Sequence, residues 1–393
     1  MDKNEILRAF LSAGYQISAD AIAHFEQNPD RVKEFIELAA GKLEKPFVSM
    51  ETVNSVMGGI SPKLRVVTTF HSGRKEATVG QISDRMNSRY QKISEILSKK
   101  IELANLISIN RISQQNNKFS IIAMLKEVNP GDRSLVVEDP TGTTSVYISD
   151  EAVGDFHYLV EDEIVGLVCD NEESSENKVT RIVFPDIPLS TRIATTQQDF
   201  LCMFVSDVHM EEDEFQPHAL EKFADYLKKI KQDVLVFVLG DVAKDPERLD
   251  KFQKMFPPNF SVMYLQGELE GVCKENCLPD PVIVDVGGVK IFLSHGKMFQ
   301  GYMERLKVSP ENMLLQMVKK RHLSPTFGEN PRLDDEKLFL ENVPDIFVIG
   351  HYHDPKTMNY KGTTLISLGS FVTQPIFWSV NLRTRETIKI DLT

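Results

Sequence analysis

Five short apolar runs in the second half of the chain each end in a residue able to bind a metal ion. Met203-Phe204-Val205-Ser206 leads into Asp207 and His209, and Val234 to Leu239 leads through Gly240 to Asp241. Val262 to Leu265 leads through Gln266-Gly267 to Glu268, and Ile291-Phe292-Leu293-Ser294 leads to His295. The last, Ile346 to Ile349, leads through Gly350 to His351 and His353. Runs of this length and composition read as buried strands, and ligands of layered α/β folds gather beyond the carboxyl ends of such strands. A mixed Asp/His set suits Mn²⁺, Fe, Zn²⁺ or related ions and does not call for thiolates. With a carboxylate bridging them, two such ions can grip a phosphate and activate water. The chemistry these residues point to is therefore hydrolysis of a phosphate ester. One Asp-x-His, or one His after a strand, is usually an ordinary surface or hydrogen-bonded residue; five ligand positions in order mark a site.

The order Asp-x-His, Gly-Asp, Gly-Glu, Ser-His-Gly, Gly-His-x-His resembles the calcineurin-like metallophosphoesterase superfamily over roughly residues 200–393. That resemblance implies an α/β phosphoesterase sandwich holding two divalent ions, Mn²⁺ first, with Mg²⁺, Fe or Zn²⁺ as alternatives. It implies that Asp207, His209 and His353 serve one ion, that His295 and His351 serve the other, and that Asp241 bridges them. Glu268 stands where the family has an amide ligand; a carboxylate there still suits a hard or borderline ion. Leu269 stands where the family has the His that contacts the scissile phosphate. Leucine can neither donate a proton nor stabilise charge, and losing such a group typically costs about 10²- to 10⁴-fold in rate. Asp241 and His295 are then the residues left to be named catalytic, as members of the metal site.

A narrower resemblance lies in Met317 to Gly328, which contains Lys319-Lys320-Arg321-His322-Leu323-Ser324-Pro325-Thr326 and is followed by Val343-Pro344-Asp345 and the final His pair. It is similar to the small subunits of archaeal family D DNA polymerases, relatives of the B-subunits of eukaryotic replicative polymerases. This implies a β-barrel OB-fold ahead of the phosphoesterase domain, and a heterodimer with a large polymerising subunit. It also implies metal-dependent 3′→5′ proofreading exonuclease activity at the primer 3′ end of DNA, with a sliding clamp as a further candidate partner. The alternative is a catalytically inactive subunit that scaffolds the large one. Lys319, Lys320 and Arg321 read either as a solvated helix end or as contacts to a phosphate backbone beside the site.

The rest of the chain reads as support. Residues 101–190 hold β-rich segments at Ala104 to Ile109, Phe119 to Lys126, Ser134 to Glu138, Thr144 to Ile148, Ile164 to Cys169 and Lys178 to Phe184, parted by turn clusters. Strands at this spacing predict a small closed barrel, with Val136 to Ile148 as the central hairpin of an OB-fold. Its sparse basic and aromatic residues favour docking of a subunit over direct binding of DNA. Residues 1–75 read as a small helical N-terminal module with a strand-like Leu64 to Phe70, because Ile6, Leu7, Phe10, Leu11, Ile22, Phe25, Val32, Phe35 and Ile36 recur at helical spacing. Residues 76–100 read as linker and helix, and 198–393 as the phosphoesterase domain.

A chain of 393 residues with 41% hydrophobic content can build two or three cored domains. No apolar run approaches the roughly 20 residues needed to cross a membrane, and the charged start lacks a signal-peptide core, so a cytoplasmic protein with no membrane partner is expected. The net charge of −12 works against unaided DNA binding and favours a subunit. Cys169 and Cys202 read as buried thiols, and no disulfide is expected between Cys273 and Cys277.

Overall fold

The computed structural model describes the chain apart from residues 28, 30, 41–42, 44–45, 50–51, 54–63, 72–77, 114–116, 172–175, 189–191, 198, 214, 231–232, 269–275, 331–332 and 373. The polar stretch Arg74-Lys75-Glu76 and Leu269 therefore lie outside the described residues. At the N-terminus, helices Lys3–Ser12, Ala19–Gln27 and Arg31–Ala39 enclose Phe10, Phe25 and Phe35, with the short parallel strands β1 (Gln16–Ile17) and β2 (Phe47–Val48) beside them. The first helix starts from a capping box in which Asp2 accepts from the Asn4 and Glu5 amides and Glu5 reaches back to Asp2.

Strand β3 (Leu64–Thr69) falls within residues 1–75 but does not pair with this helical module. It hydrogen-bonds antiparallel to a strand more than 200 residues later, so it belongs to the C-terminal sandwich. Sequence alone gives no partner for an isolated β-branched run, which explains the different boundary. A capped helix, Val79–Leu97, follows.

Next comes a closed barrel of β4 (Lys118–Asn129), β5 (Ser134–Asp139), β6 (Gly142–Ile148), β7 (Ile164–Asp170) and β8 (Lys178–Val183), in the order β4-β5-β6-β8-β7. The pairing of β4 with β7 closes it around Leu125, Val137, Val146 and Leu167. Ala104–Ile109, expected as a strand, is not one. It is a turn with a single bridge from Leu106 to Ser120 and then a 3-10 turn at Ile109–Arg111.

The remainder is a sandwich of two six-stranded sheets. One contains β9 (Leu201–Val205), β10 (Val234–Leu239), β11 (Phe260–Leu265) and β12 (Cys277–Leu278), all parallel. The other is built on β13 (Val282–Val286), β14 (Val289–Ser294), β15 (Ile346–Ile349), β16 (Lys356–Tyr360) and β17 (Thr363–Ser367), with β3 at its edge beside β13. The chain then returns to the first sheet with β18 (Ile376–Asn381) beside β9 and β19 (Thr387–Asp391) at the edge. Phe204, Phe237, Leu265, Val284, Ile291, Val348 and Trp378 fill the space between the sheets. Helices Pro217–Lys229 and Pro246–Gln253 supply apolar residues to the core on the outer face of the first sheet, and Gln300–Leu306 and Pro310–Lys320 do so for the second. With helices on one face and the second sheet on the other, β10 is buried on both sides, which is why Val234 to Leu239 is an unbroken apolar run.

The basic run at the end of helix Pro310–Lys320 is neither a solvated helix end nor a free phosphate contact. Lys320 is 4% exposed, forms an ion pair with the buried Glu163 of the barrel and donates to the Tyr158 carbonyl. Lys319 faces Asp155 at 3.8 Å and the Phe184 ring. Arg321 donates to the carbonyls of Leu340 and Glu341. Arg89, from helix Val79–Leu97, completes the junction by donating to the carbonyls of Pro325 at 2.8 Å and Asp162 at 3.0 Å. The motif therefore joins three parts of the molecule.

Cys169 and Cys202 are buried free thiols. Cys277 is disulfide-bonded, against the expectation of a free thiol; Cys273 lies outside the described residues.

Candidate metal centre

The two sheets bring their strand ends together at one edge of the sandwich. Asp207, His209, Asp241, His351 and His353 all adopt left-handed backbone there, with φ between 47° and 70°. Such conformations are uncommon outside glycine and mark places where surrounding structure fixes an unfavourable turn. The turns are held by a continuation of the β9–β10 ladder: the amides of Asp207, His209 and Met210 donate to the carbonyls of Gly240, Asp241 and Val242 at 2.9–3.1 Å. These turns bring carboxylates and imidazoles from the strand ends close to one another at that edge.

Close approach of these turns requires glycine. A Cβ on Gly350 would lie 2.2 Å from the Ser206 Oγ, and one on Gly267 would lie 2.2 Å from the Asp241 Oδ1. Gly267 and Gly350 are therefore packing requirements of the site.

Two triads result, both including Asp207: Asp207 with His209 and His353, and Asp207 with His295 and His351. The Asp207 Oδ1 is 3.6 Å from the Nε2 atoms of both His209 and His353. Ligands bound at about 2.1 Å around one tetrahedral ion stand about 3.4 Å apart, so this spacing fits a shared ion. Asp207, the shared member, comes from the first sheet; Asp241, expected to bridge, lies with its Oδ2 3.5 Å from the His295 Nε2. Glu268 is brought to the site only by its backbone, whose amide donates to the Asp241 Oδ1 at 2.5 Å. Its carboxylate is exposed, pairs with Lys297 at 3.3 Å and belongs to neither triad, although it lines the same cavity as His295.

The protonation pattern also suits cations. His295 Nδ1 lies 2.8 Å from the Leu239 carbonyl. A carbonyl only accepts, so Nδ1 carries the proton and the Nε2 lone pair is free. That Nε2, the His209 Nε2 and the Asp207 Oδ1 are buried without a hydrogen-bond partner, a costly state that a metal ion would relieve. His209 Nδ1 faces the Glu212 carboxylate at 2.8 Å, which turns its Nε2 toward Asp207. Burial alone would push the Asp207 carboxyl up, but the imidazoles of His209, His353 and His295 and the Ser206 hydroxyl hold it well below its ordinary range. His351 is pushed down by burial first and by His295 second, which keeps it neutral and ligand-competent.

Sequence reasoning missed four contributors: Ser206, which donates to the Asp207 Oδ2; Ser370, whose Oγ donates to the Asp207 carbonyl at 3.1 Å; Glu212; and Asp280, whose Oδ1 accepts the His295 amide at 3.1 Å. Only Glu212 carried a signal, three residues after His209. Ser206 stands next to Asp207 but has no spacing of its own to mark it, and Ser370 and Asp280 meet the site through pairings that no local spacing reveals.

Residues 201–377 match the model of the calcineurin-like phosphoesterase superfamily domain. The chain is 26% identical to the DNA polymerase II small subunit of Archaeoglobus fulgidus over 362 positions, covering 77% of this chain and 73% of that protein. It is 21% identical to the protein of that name from Thermoplasma acidophilum over 442 positions, covering 95% and 87%. It is 25% identical to the one from Methanothermobacter thermautotrophicus over 374 positions, covering 79% and 77%. The chain thus resembles archaeal DNA polymerase II small subunits over most of its length and carries a calcineurin-like phosphoesterase domain.

Proposed function

We propose that this chain is the small subunit of an archaeal family D DNA polymerase, that its barrel is an OB-fold serving subunit docking, and that its metal centre hydrolyses the 3′-terminal phosphodiester of DNA. The observation that carries the hydrolytic reading is the pair of triads around Asp207, with three buried ligand atoms lacking any hydrogen bond. The strand order β4-β5-β6-β8-β7, closed by β4, supports the OB-fold. The similarity to proteins named as polymerase II small subunits supports the partner, a large polymerising subunit.

In this reading Asp207, His209 and His353 hold one divalent ion, and His295 and His351, with Asp207 and Asp241 as the available carboxylates, hold the second. Mn²⁺ is the first candidate. When bound, such ions neutralise phosphate charge and activate water. The residues of the chain do the rest. Leu239 fixes the His295 tautomer, Glu212 orients His209, Ser206 and the His351 amide hold the Asp207 Oδ2, and Lys297 brings a positive charge to the rim. Primer DNA is the substrate, and a chain of net charge −12 receives it with the help of the ions and the large subunit.

A second reading, a structural subunit with a bound but silent site, is favoured by one observation: the Glu268 carboxylate pairs with Lys297 and belongs to neither triad, and the next residue in the sequence is Leu269, which can neither donate a proton nor stabilise charge. The test is release of nucleotides from the 3′ end of labelled single-stranded DNA in Mn²⁺, by the chain alone and with its large subunit, beside Asp207→Asn and Asp241→Asn. Release abolished in both variants supports hydrolysis. No release in either setting by a metal-loaded wild-type chain establishes the structural reading.

A further inference from the structure

A cavity of about 630 Å³ opens beside the second triad, with His295 in its wall, within the size range of small-molecule sites. Its lining includes Gln266, Asp280, Lys297, Asn330 and, unexpectedly, His71 from the segment ahead of the barrel. The sheet register explains how His71 arrives. Thr69 of β3 lies opposite Val282 of β13, and Val282 lies opposite Leu293 of β14. Two residues further along each strand, toward the site, stand His71, Asp280 and His295, in one row across the sheet edge. The row is fixed at both ends of the new member: the Phe70 carbonyl accepts the Asp334 amide at 2.7 Å, and His71 bridges to Leu333. At the other end Asp280 accepts the His295 amide.

We propose that this cavity is a nucleotide subsite, and that His71 and Lys297 bind the phosphate of the nucleotide unit next to the scissile bond. The inference rests on the hydrolytic reading above for its choice of ligand. The chemistry of the lining fits a nucleotide. His71, Lys297 and the side-chain amides of Gln266 and Asn330 are donors suited to a phosphate and sugar, while Leu278, Pro279 and Leu333 offer an apolar wall for a base. His71 is exposed on the cavity side and close enough to Asp280 to act on it electrostatically. The N-terminal segment thereby becomes part of the site, although it lies more than a hundred residues before the domain that holds the ligands.

The test is equilibrium binding of thymidine 5′-monophosphate to the Mn²⁺-loaded full chain, with bound manganese counted separately by elemental analysis. His71→Ala should weaken nucleotide binding roughly ten- to hundred-fold, the loss of one hydrogen bond to a charged group. Its manganese content and melting temperature should stay at the wild-type level, and His71→Gln should recover part of the affinity. Equal affinity in wild type and His71→Ala overturns the assignment of His71, and a metal-loaded wild-type chain that binds no nucleotide overturns the subsite. His71-dependent binding in a chain that releases nothing from DNA keeps the subsite and removes the hydrolytic reading, so the two failures are distinguishable.

Discussion

Replacing Lys320 with methionine tests the idea that the basic motif is a joint between barrel and sandwich. The substitution keeps the length of the side chain and removes its charge. Glu163 is then left 3% exposed with its ion-pair partner gone. Breaking a buried pair from one side costs about 3–5 kcal/mol, because the remaining charge is uncompensated. The cost should depend on pH. Burial pushes the Glu163 carboxyl up to about 7 from its ordinary 4.5 even while Lys320 pulls it down, so without Lys320 it rises further. An acid raised in the folded state favours folding below its unfolded value and loses that contribution as pH rises through the folded one. The deficit of Lys320→Met should therefore be near its full size at pH 8.5 and contract toward pH 5. Guanidinium unfolding reports this directly, followed by fluorescence of Trp378, the one tryptophan of the chain, and by far-UV circular dichroism. Adding Glu163→Leu should restore most of the loss, since an apolar pair of similar volume replaces the ion pair. A deficit under about 1 kcal/mol at pH 8.5, or one equal at both pH values and untouched by the second substitution, would refute the joint.

Four further outcomes follow from the geometry. Asp207→Asn should lower bound manganese more than either Asp241→Asn or His353→Ala, because Asp207 is common to both triads; elemental analysis after gel filtration decides it. Glu268→Gln should leave manganese content unchanged, since its carboxylate pairs with Lys297, and a loss of one ion per chain would return Glu268 to the ligand set. Gly350→Ala should cost about 1–3 kcal/mol and disturb metal binding, because its new methyl would meet the Ser206 Oγ at 2.2 Å; a wild-type melting temperature would contradict this. Arg89→Ala should lower the melting temperature by removing hydrogen bonds to Pro325 and Asp162, and thermal denaturation at neutral pH reads that loss.

What the sequence made legible was whatever local pattern controls. The strand-end candidate ligands Asp207, His209, Asp241, His295, His351 and His353 stand together because each apolar run is a strand of two stacked sheets and each turn after it is fixed by a neighbouring glycine or left-handed residue. Orientation was not legible. Glu268 follows its strand as the others do, yet its side chain swings to Lys297, a choice made by a residue twenty-nine positions away. Leu64–Thr69 looked like part of the N-terminal module because its partner, β13, lies far along the chain. Ala104–Ile109 has strand-like composition but only one bridging neighbour, so it stays a turn. The basic run Lys319-Lys320-Arg321 misled because charge suggests solvent or phosphate, whereas buried acids and carbonyls on other elements claim it.

Each triad mixes ligands from both sheets: Asp207 and His209 come from the first, His295, His351 and His353 from the second. A bound ion is then a rivet through the sandwich, and prying the sheets apart at this edge releases it. By linkage, every factor of ten in metal concentration above the dissociation constant adds about 1.4 kcal/mol against that opening. The ligand set consequently has a mechanical use that owes nothing to turnover. A subunit that never cut DNA would still be held shut by the same aspartate and histidines.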